Sequence, residues 1–217
     1  MNHEDTVTQT IDFVKEKLST AEGGHDWWHI FRVWSLAKQI TKTENADLLT
    51  VELGALLHDI ADSKFNGGDE EIGPRIGVAF LETLELDAKT IDHVEKIIRN
   101  ISFKGSNTIQ AFKSRELDIV QDADRLDALG AIGIARAFTY GGFKGRELYN
   151  PTIPPSLNMT AEEYKKNNSP TLNHFYEKLL LLKDRMNTAT GKILAEQRHQ
   201  FMEQYLREFY QEWNGEV

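Results

Sequence analysis

The spacing of apolar positions predicts α-helices along almost the whole 217-residue chain. In most segments apolar residues recur three and four positions apart, which is the period of one helix face. No run of alternating polar and apolar residues typical of a strand stands out. The predicted helices cover residues 4–20, 25–43, 47–58, 70–86, 88–100, 112–140, 171–184 and 187–212, with a short one at 160–166. The pattern therefore predicts a compact all-α fold of about eight or nine helices.

Three stretches interrupt this pattern. Residues 61–69 and 101–110 are polar and loop-like, and residues 141–170 are rich in glycine and proline. Loops as long as the third are typically functional lids or disordered segments. Since 217 residues suffice for one substantial core, we expect a single domain over residues 1–217. Its core lies at about 20–140, residues 141–170 form a loop or lid, and helices in 171–217 pack on the core.

Two glycines, Gly130 and Gly133, lie inside the predicted helix 112–140. Glycine in a helix interior lowers helix stability by about 1 kcal/mol. Small side chains at such positions also allow neighbouring helices to approach closely. We therefore interpret the pair as a packing feature within one continuous helix.

The amino-acid composition limits which classes of binding partner and which cellular compartment are expected. The net charge of −9 argues against binding of a nucleic acid polymer, which normally requires basic patches. The absence of cysteine excludes disulfides and thiolate metal sites. No signal peptide or membrane-spanning stretch is readable, so a cytoplasmic location without a membrane partner is the expectation. The aromatic C-terminal helix could form a homodimer with a second copy or pack on its own core, and both remain open.

A histidine and a carboxylate, His58 and Asp59, end the most apolar predicted helix. Polar groups at a buried helix end need a partner, and a divalent metal is one such partner. His29, on the second predicted helix, and Asp124 could supply further ligands. Imidazole and carboxylate ligands together suit Mn²⁺, Fe²⁺, Co²⁺, Ni²⁺ or Zn²⁺ better than Ca²⁺.

Taken alone, each of these residues is weak evidence for a metal site. A single histidine at a helix end is more often a hydrogen-bonded structural residue than a ligand. Asp122 precedes Asp124 by two positions, and we interpret it as a helix cap or an outer carboxylate rather than a ligand. The combined pattern carries more weight than its members.

The order of these residues resembles the HD-domain metal-dependent phosphohydrolase superfamily. It appears here as Gly24-His-Asp-Trp-Trp-His29, then His58-Asp59, then Asp122-Ala-Asp124-Arg-Leu-Asp127. The resemblance covers nearly the whole chain. The sequence is similar in particular to one bacterial branch of the superfamily, which includes a nucleotide pyrophosphohydrolase of Bacillus type. The resemblance implies that His29, His58, Asp59 and Asp124 bind a metal. Mn²⁺ is the first candidate, with Ni²⁺, Co²⁺, Fe²⁺ and Zn²⁺ as alternatives.

One departure from that branch concerns the number of metals. Its members often carry a histidine before Ser-Phe in the loop after the fifth helix. Ile101 stands at that position here, before Ser102-Phe103. Since the extra histidine of two-metal relatives is missing, one metal is the expectation.

The resemblance also implies an activity: metal-dependent hydrolysis of a small anionic substrate, a nucleoside or deoxynucleoside triphosphate, to the monophosphate and pyrophosphate. Asp62 could orient or deprotonate the attacking water. Arg32 and Lys64 could hold phosphate oxygens and neutralise charge as the reaction proceeds. Lys104 and Arg125 are lower-ranked candidates for substrate contacts.

Other interpretations stay open. A 5'-nucleotidase, another hydrolase of small phosphoesters, or a non-catalytic nucleotide-binding HD module would carry the same helical scaffold. Trp27 and Trp28 could stack on a base, although core packing is the interpretation favoured. Lys144 and Arg146 could reach a polyphosphate from a mobile loop, although we interpret them as solvated surface residues. His174 has no partner pattern and is interpreted as structural or exposed.

Overall fold

The structure is a computed structural model that describes residues 2–19, 26–61, 69–101, 112–157, 159–160, 163 and 167–216. Within these residues it contains α-helices, short 3₁₀ turns and no strand. The nine α-helices of this described part are α1 His3–Lys17, α2 Trp27–Thr41, α3 Leu48–Leu57, α4 Ile72–Thr83, α5 Ala88–Asn100, α6 Arg115–Asp127, α7 Gly130–Phe143, α8 Asn173–Glu177 and α9 Ala189–Asn214. The prediction of an all-α fold with about eight or nine helices is confirmed.

The chain divides into two compact units, Met1–Asp124 and Arg125–Val217. In the first unit α3 contacts α1, α2 and α5, and α4 packs on α5. Every residue of α3 from Thr50 to Leu57 is buried. Gly54 allows the close approach to α5, because a Cβ there would lie 3.0 Å from the Ile97 side chain. The helix that ends at His58 is therefore the centre of this unit.

Aspartates begin three helices of the first unit. Asp26 accepts a hydrogen bond from the His29 N–H at 3.0 Å, and Asp47 accepts one from the Thr50 N–H at 2.8 Å. Asp87 caps α5 in the same way. Such caps satisfy N–H groups that have no partner inside the helix. These caps set the starts of α3 and α5, close to the starts of the helices predicted at 47–58 and 88–100.

The predicted continuous helix over 112–140 is wrong. α6 ends at Asp127 and α7 begins at Gly130, whose φ of 70° lies in the left-handed region. At Gly133 a Cβ would lie 2.2 Å from the carbonyl oxygen of Ala128. Both glycines are therefore needed for the sharp turn between two helices, not for packing inside a single helix.

In the second unit α9 packs against α7, and the rings of Phe138, Phe175 and Tyr205 meet between the helices. The predicted helix 171–184 is wrong in its length. It is replaced by the five-residue α8 and two 3₁₀ turns, Leu179–Leu181 and Lys183–Arg185. The predicted short helix at 160–166 falls mostly outside the described residues.

Backbone hydrogen bonds connect residues that follow α7 to residues that precede α8. The Thr171 N–H donates to Glu147 O at 2.9 Å, and the Leu172 N–H donates to Leu148 O at 3.1 Å. None of the helices in the described part of the chain is both long enough and apolar enough to cross a membrane.

Candidate metal centre

Three helices of the unit Met1–Asp124 bring four polar side chains together. His29 lies in the first turn of α2, where the Asp26 cap fixes its backbone N–H. His58 and Asp59 directly follow the last residue of α3, and Asp124 lies on α6. The two histidines are only 2% and 7% exposed, which is unusual for side chains of this polarity.

The distances place the ligating atoms around a common point. Asp124 Oδ1 lies 3.5 Å from His29 Nε2 and 3.9 Å from His58 Nε2. One ligand atom each of His29, His58 and Asp59 lies within 4.8 Å of the others. The imidazole rings stand 5.3 Å apart at 67° to one another. All four residues proposed as ligands from the sequence are thus brought together.

The hydrogen bonding of His58 leaves one nitrogen ready for a cation. Its Nδ1 lies 2.7 Å from the carbonyl oxygen of Ala55. Because a carbonyl only accepts, Nδ1 donates its N–H to it, and Nε2 is the nitrogen that can offer a lone pair to a ligand. Among the described residues Nε2 is buried and has no hydrogen-bond partner. A buried nitrogen lone pair that faces a carboxylate is the environment that a divalent cation satisfies.

The donor set is therefore compatible with a divalent metal. Imidazole nitrogens and carboxylate oxygens together match borderline transition metals. Within the described part of the chain His29, His58 and Asp59 are the residues whose ligand atoms meet in this way. They form a candidate site for a divalent metal, to which Asp124 adds a second carboxylate.

The structure describes some of the other residues that the sequence analysis named as candidates. Arg32 lies on α2 one turn after His29 and is half-buried. Arg125 donates from Nη1 to the carbonyl oxygen of Arg185 at 2.7 Å. Ile101 is buried in the hydrophobic core. Three further candidates lie outside the described residues: Asp62, Lys64 and Lys104.

Two interpretations from the sequence are corrected. Asp122 is fully buried in the interior of α6, so it is not a helix cap. Trp28 is 61% exposed, so it is not a core residue. Trp27 does pack against the core, and Trp28 makes an edge contact with the Phe31 ring at 6.0 Å.

Glu52 is a polar residue of α3 that sequence reasoning missed. Its carboxylate is buried, accepts from Trp34 Nε1 at 2.9 Å and lies 2.5 Å from His3 Nε2. It thereby links α1 and α2 to the helix that delivers His58. The signal that could have found it is its position as the only charged residue between Asp47 and His58.

Comparisons with known proteins identify the family to which the chain belongs. A sequence model of the HD domain family matches residues 27–129. The uncharacterized protein YpgQ of Bacillus subtilis is 37% identical over 210 residues, which covers 95% of this chain and 93% of YpgQ. The crystal structure of an HD-superfamily hydrolase from Bacillus thuringiensis has 45% identity and a TM-score of 0.80, with 98% of this chain and 99% of that chain covered.

A crystal structure of YpgQ in complex with ADP has 37% identity and a TM-score of 0.78, and it covers 98% of this chain and 97% of that chain. The chain described here belongs to the HD domain family. Within that family it is an HD-superfamily hydrolase of the metal-dependent phosphohydrolase class.

Proposed function

We propose that the protein hydrolyses nucleoside or deoxynucleoside triphosphates to the monophosphate and pyrophosphate, using a divalent metal held by His29, His58, Asp59 and Asp124. The observation that carries the metal site is the buried Nε2 of His58, which lies beside two carboxylates and has no hydrogen-bond partner among the described residues. The ADP complex of YpgQ supports a nucleotide as the substrate. When bound, the metal would polarise a phosphoryl oxygen and lower the pKa of a coordinated water.

Mn²⁺ is the metal we propose first, because the mixed nitrogen and oxygen donor set accommodates it. A single ion is proposed because Ile101, which stands where a further histidine could add a ligand, packs in the hydrophobic core. The Ala55 carbonyl fixes the tautomer and the orientation of the His58 ring, which keeps Nε2 directed at the site.

The reaction needs a proton acceptor and positive charge near the phosphates. The water oxygen bonds to the α-phosphorus, the bond from that phosphorus to the α–β bridging oxygen breaks, and pyrophosphate leaves with the electron pair. Asp62 is the proposed acceptor of the water proton. Arg32 and Lys64 are proposed to hold the phosphate oxygens, with Lys104 and Arg125 as further contacts.

Product analysis in ¹⁸O-labelled water tests this reaction. Purified protein is incubated with Mn²⁺ and a panel of ribo- and deoxyribonucleoside triphosphates, and products are identified by ³¹P NMR and mass spectrometry. We expect pyrophosphate and a monophosphate that carries the label, because the water attacks the α-phosphorus. Label in pyrophosphate would contradict the proposed attack.

The other products separate the alternatives. Nucleoside and inorganic phosphate from a monophosphate substrate would indicate a 5'-nucleotidase. Inorganic triphosphate would place the cleaved bond at the sugar. If no nucleotide is turned over with any of Mn²⁺, Co²⁺, Ni²⁺, Fe²⁺ or Zn²⁺, although nucleotide still binds, the protein is a nucleotide-binding module and the proposed reaction is wrong.

A further inference from the structure

A cavity of about 380 Å³ lies in the second unit, and we call it the tyrosine cavity. Small-molecule sites in proteins typically enclose about 300–1,000 Å³, so its size suits a small ligand. The residues that line it include three tyrosines and three prolines, namely Tyr149, Tyr176, Tyr210, Pro151, Pro154 and Pro155. None of these is a proposed metal ligand or phosphate contact, and the triphosphate reaction gives the cavity no role.

Contacts between aromatic rings hold Tyr149 in one orientation. The centre of its ring lies 5.9 Å from that of Phe209, 5.4 Å from that of Tyr210 and 5.0 Å from that of Trp213. The three interplanar angles are 88°, 73° and 83°, so all three are edge-to-face contacts, which aromatic rings favour. A ring that is already fixed loses little further freedom when a ligand binds.

The segment that carries the three prolines is fixed by hydrogen bonds. The Ile153 N–H donates to the carbonyl oxygen of Asn150 at 3.1 Å. The side-chain amide of Asn173, a buried residue of α8, donates to the carbonyl oxygen of Ile153 at 2.9 Å. Each proline ring also restricts its own backbone angle φ. The cavity is therefore formed before any ligand arrives.

Two of the tyrosine hydroxyls are bonded to each other. The Tyr176 hydroxyl on α8 donates to the hydroxyl oxygen of Tyr210 on α9 at 3.2 Å. This bond uses one of the two hydroxyl hydrogens, so the pair keeps one O–H that can donate to a ligand. Burial, followed by the hydrogen bond with Tyr176, raises the pKa of Tyr210, so its hydroxyl stays protonated at neutral pH.

The chemistry of the lining selects the class of ligand. In the described part of the chain the side chains that line the cavity are tyrosine, proline, isoleucine and asparagine, and none is charged. Phosphate groups are bound mainly by guanidinium and ammonium groups, so this lining does not favour them. Aromatic walls favour a flat ring, and a free O–H donor favours a ring that carries an acceptor.

We propose that the tyrosine cavity binds a nucleobase, whose ring packs against the tyrosines and prolines while its carbonyl oxygen or ring nitrogen accepts from the hydroxyl pair of Tyr176 and Tyr210. Stacking on aromatic side chains is a general way in which proteins bind bases. The base belongs to a free nucleoside or to a nucleotide, and the experiment separates these sources. All residues that form the site belong to the second unit, so it does not rest on the metal centre.

The test uses the full-length protein in EDTA, so that no divalent metal contributes to binding. The common ribonucleosides and their mono- and triphosphates are titrated by calorimetry, and nuclear Overhauser effects from the base protons locate the bound ring. We expect a nucleoside to bind and to contact the Tyr210 ring, whose signals are assigned with Tyr210→Phe. If no nucleoside or nucleotide binds, the proposal is wrong, whatever the outcome of the hydrolysis assay.

Removing the hydroxyl pair tests the hydrogen bond to the base. The double variant Tyr176→Phe/Tyr210→Phe keeps both rings and should raise the nucleoside dissociation constant about tenfold, as expected for the loss of one hydrogen bond. The matched control is Tyr140→Phe, because Tyr140 is an exposed tyrosine of α7 that does not line the cavity. Equal affinities for the double variant and the control overturn the proposal.

Filling the cavity tests the place of binding. Ile153 lines the cavity and is 41% exposed, so Ile153→Trp adds a large ring there with little disturbance of the core. This variant should lose nucleoside binding. Leu148→Trp is the control, because Leu148 is also exposed but does not line the cavity. Circular dichroism melting verifies that both variants are folded, and full nucleoside affinity in folded Ile153→Trp overturns the site.

The ligand panel distinguishes the source of the base and other ring compounds. Equal affinities for a nucleoside and its monophosphate support a site that holds the base alone. Binding of nucleotides without any binding of nucleosides shows that phosphates are held instead, and overturns the proposal. Indole has a flat ring without an acceptor and should bind at least about tenfold more weakly than the nucleoside. Equal affinity for indole overturns the assignment to a nucleobase.

Discussion

The metal centre of the first unit and the surroundings of His174 in the second unit differ in the sign of their charge. Each contains one buried nitrogen without a partner among the described residues, His58 Nε2 in the first and Arg146 Nε in the second. Around His58 the neighbours are the carboxylates of Asp59 and Asp124. Around His174, beside Arg146, they are positive charges.

This difference indicates what each region is built to receive. An imidazole nitrogen that can offer a lone pair beside carboxylates favours a cation. A buried guanidinium donor favours an acceptor or an anion. The unsatisfied atom marks the position of a site, and the charges around it determine the chemistry of the ligand.

The largest expected effect is on the metal centre. His58→Ala should lower kcat/KM for the triphosphate by at least about a hundredfold, because even outer partners of metal ligands are worth 10–100-fold. Bound metal, measured by mass spectrometry after gel filtration, should be lost as well. His93→Gln is the matched control, since His93 bonds to Ser114 and lies outside the candidate ligand group. Full metal retention in His58→Ala would show that the site is wrongly assigned.

The next prediction compares the metal centre with Glu52, a buried carboxylate whose hydrogen bonds are made within the protein. Glu52→Ala should lower the free energy of unfolding by about 2–4 kcal/mol, because it leaves the Trp34 N–H without its buried acceptor. Urea unfolding of the metal-free protein measures this loss. His3→Ala should cost less, about 1 kcal/mol or below, since that side chain is 44% exposed.

In the same measurement His58→Ala should destabilise the metal-free protein less than Glu52→Ala does. The reason is that His58 contributes one hydrogen bond there, to Ala55, while its other nitrogen contributes none among the described residues. A larger loss for His58→Ala would indicate that the imidazole has a structural role.

The imidazole of His174 should make the free energy of unfolding depend on pH. Because burial and the neighbouring charges lower the pKa of His174 from 6.5 to about 4, the unfolded chain binds its proton more tightly than the folded chain. The stability contributed by neutral His174 is therefore complete above pH 6.5 and is lost as the pH falls towards 4. This loss amounts to at most about 3 kcal/mol. Urea unfolding between these pH values measures it, and His174→Gln should flatten the dependence. Identical pH profiles for both proteins would contradict the assignment.

A last contrast concerns the helix end that precedes Arg146. Gly141→Ala should destabilise the protein by about 1–3 kcal/mol, because its methyl group would collide with Thr171. Gly142→Ala, at the next position, meets no atom within 4 Å and should stabilise α7 by up to about 1 kcal/mol. Thermal melting of both variants compares them directly. Equal melting temperatures would contradict the close approach.

Much of the helical structure could be predicted because its signals are local. Asp47 and Asp87 begin helices in the sequence and in the structure, since a capping side chain reaches only two or three residues along the chain. The break between α6 and α7 could not be predicted, because the apolar period continues through it. Gly130 adopts a positive φ there, and sequence periodicity does not report backbone conformation.

For the candidate site, the sequence predicted four candidate ligand residues. It did not predict the orientation or the hydrogen bonds of their side chains. The residues His29, His58, Asp59 and Asp124 were proposed from their order, and the structure places them together. That His58 Nδ1 meets the Ala55 carbonyl, and so leaves Nε2 with its lone pair, depends on the ring orientation. Trp28 was predicted to lie in the core because it stands at helical spacing from apolar residues that are buried. In the structure its side chain is exposed.

The sequence by itself determined the all-α class, the family resemblance and the identity of the four candidate ligands, because periodicity, caps and motif order are properties of the chain. Only the tertiary structure decided that Glu52 is bonded from α1 and α2. It alone decided that Arg146 and His174, 28 positions apart, share one electrostatic environment. The physical reason is that burial and charge coupling depend on distances through space, which arise when separate segments fold against each other.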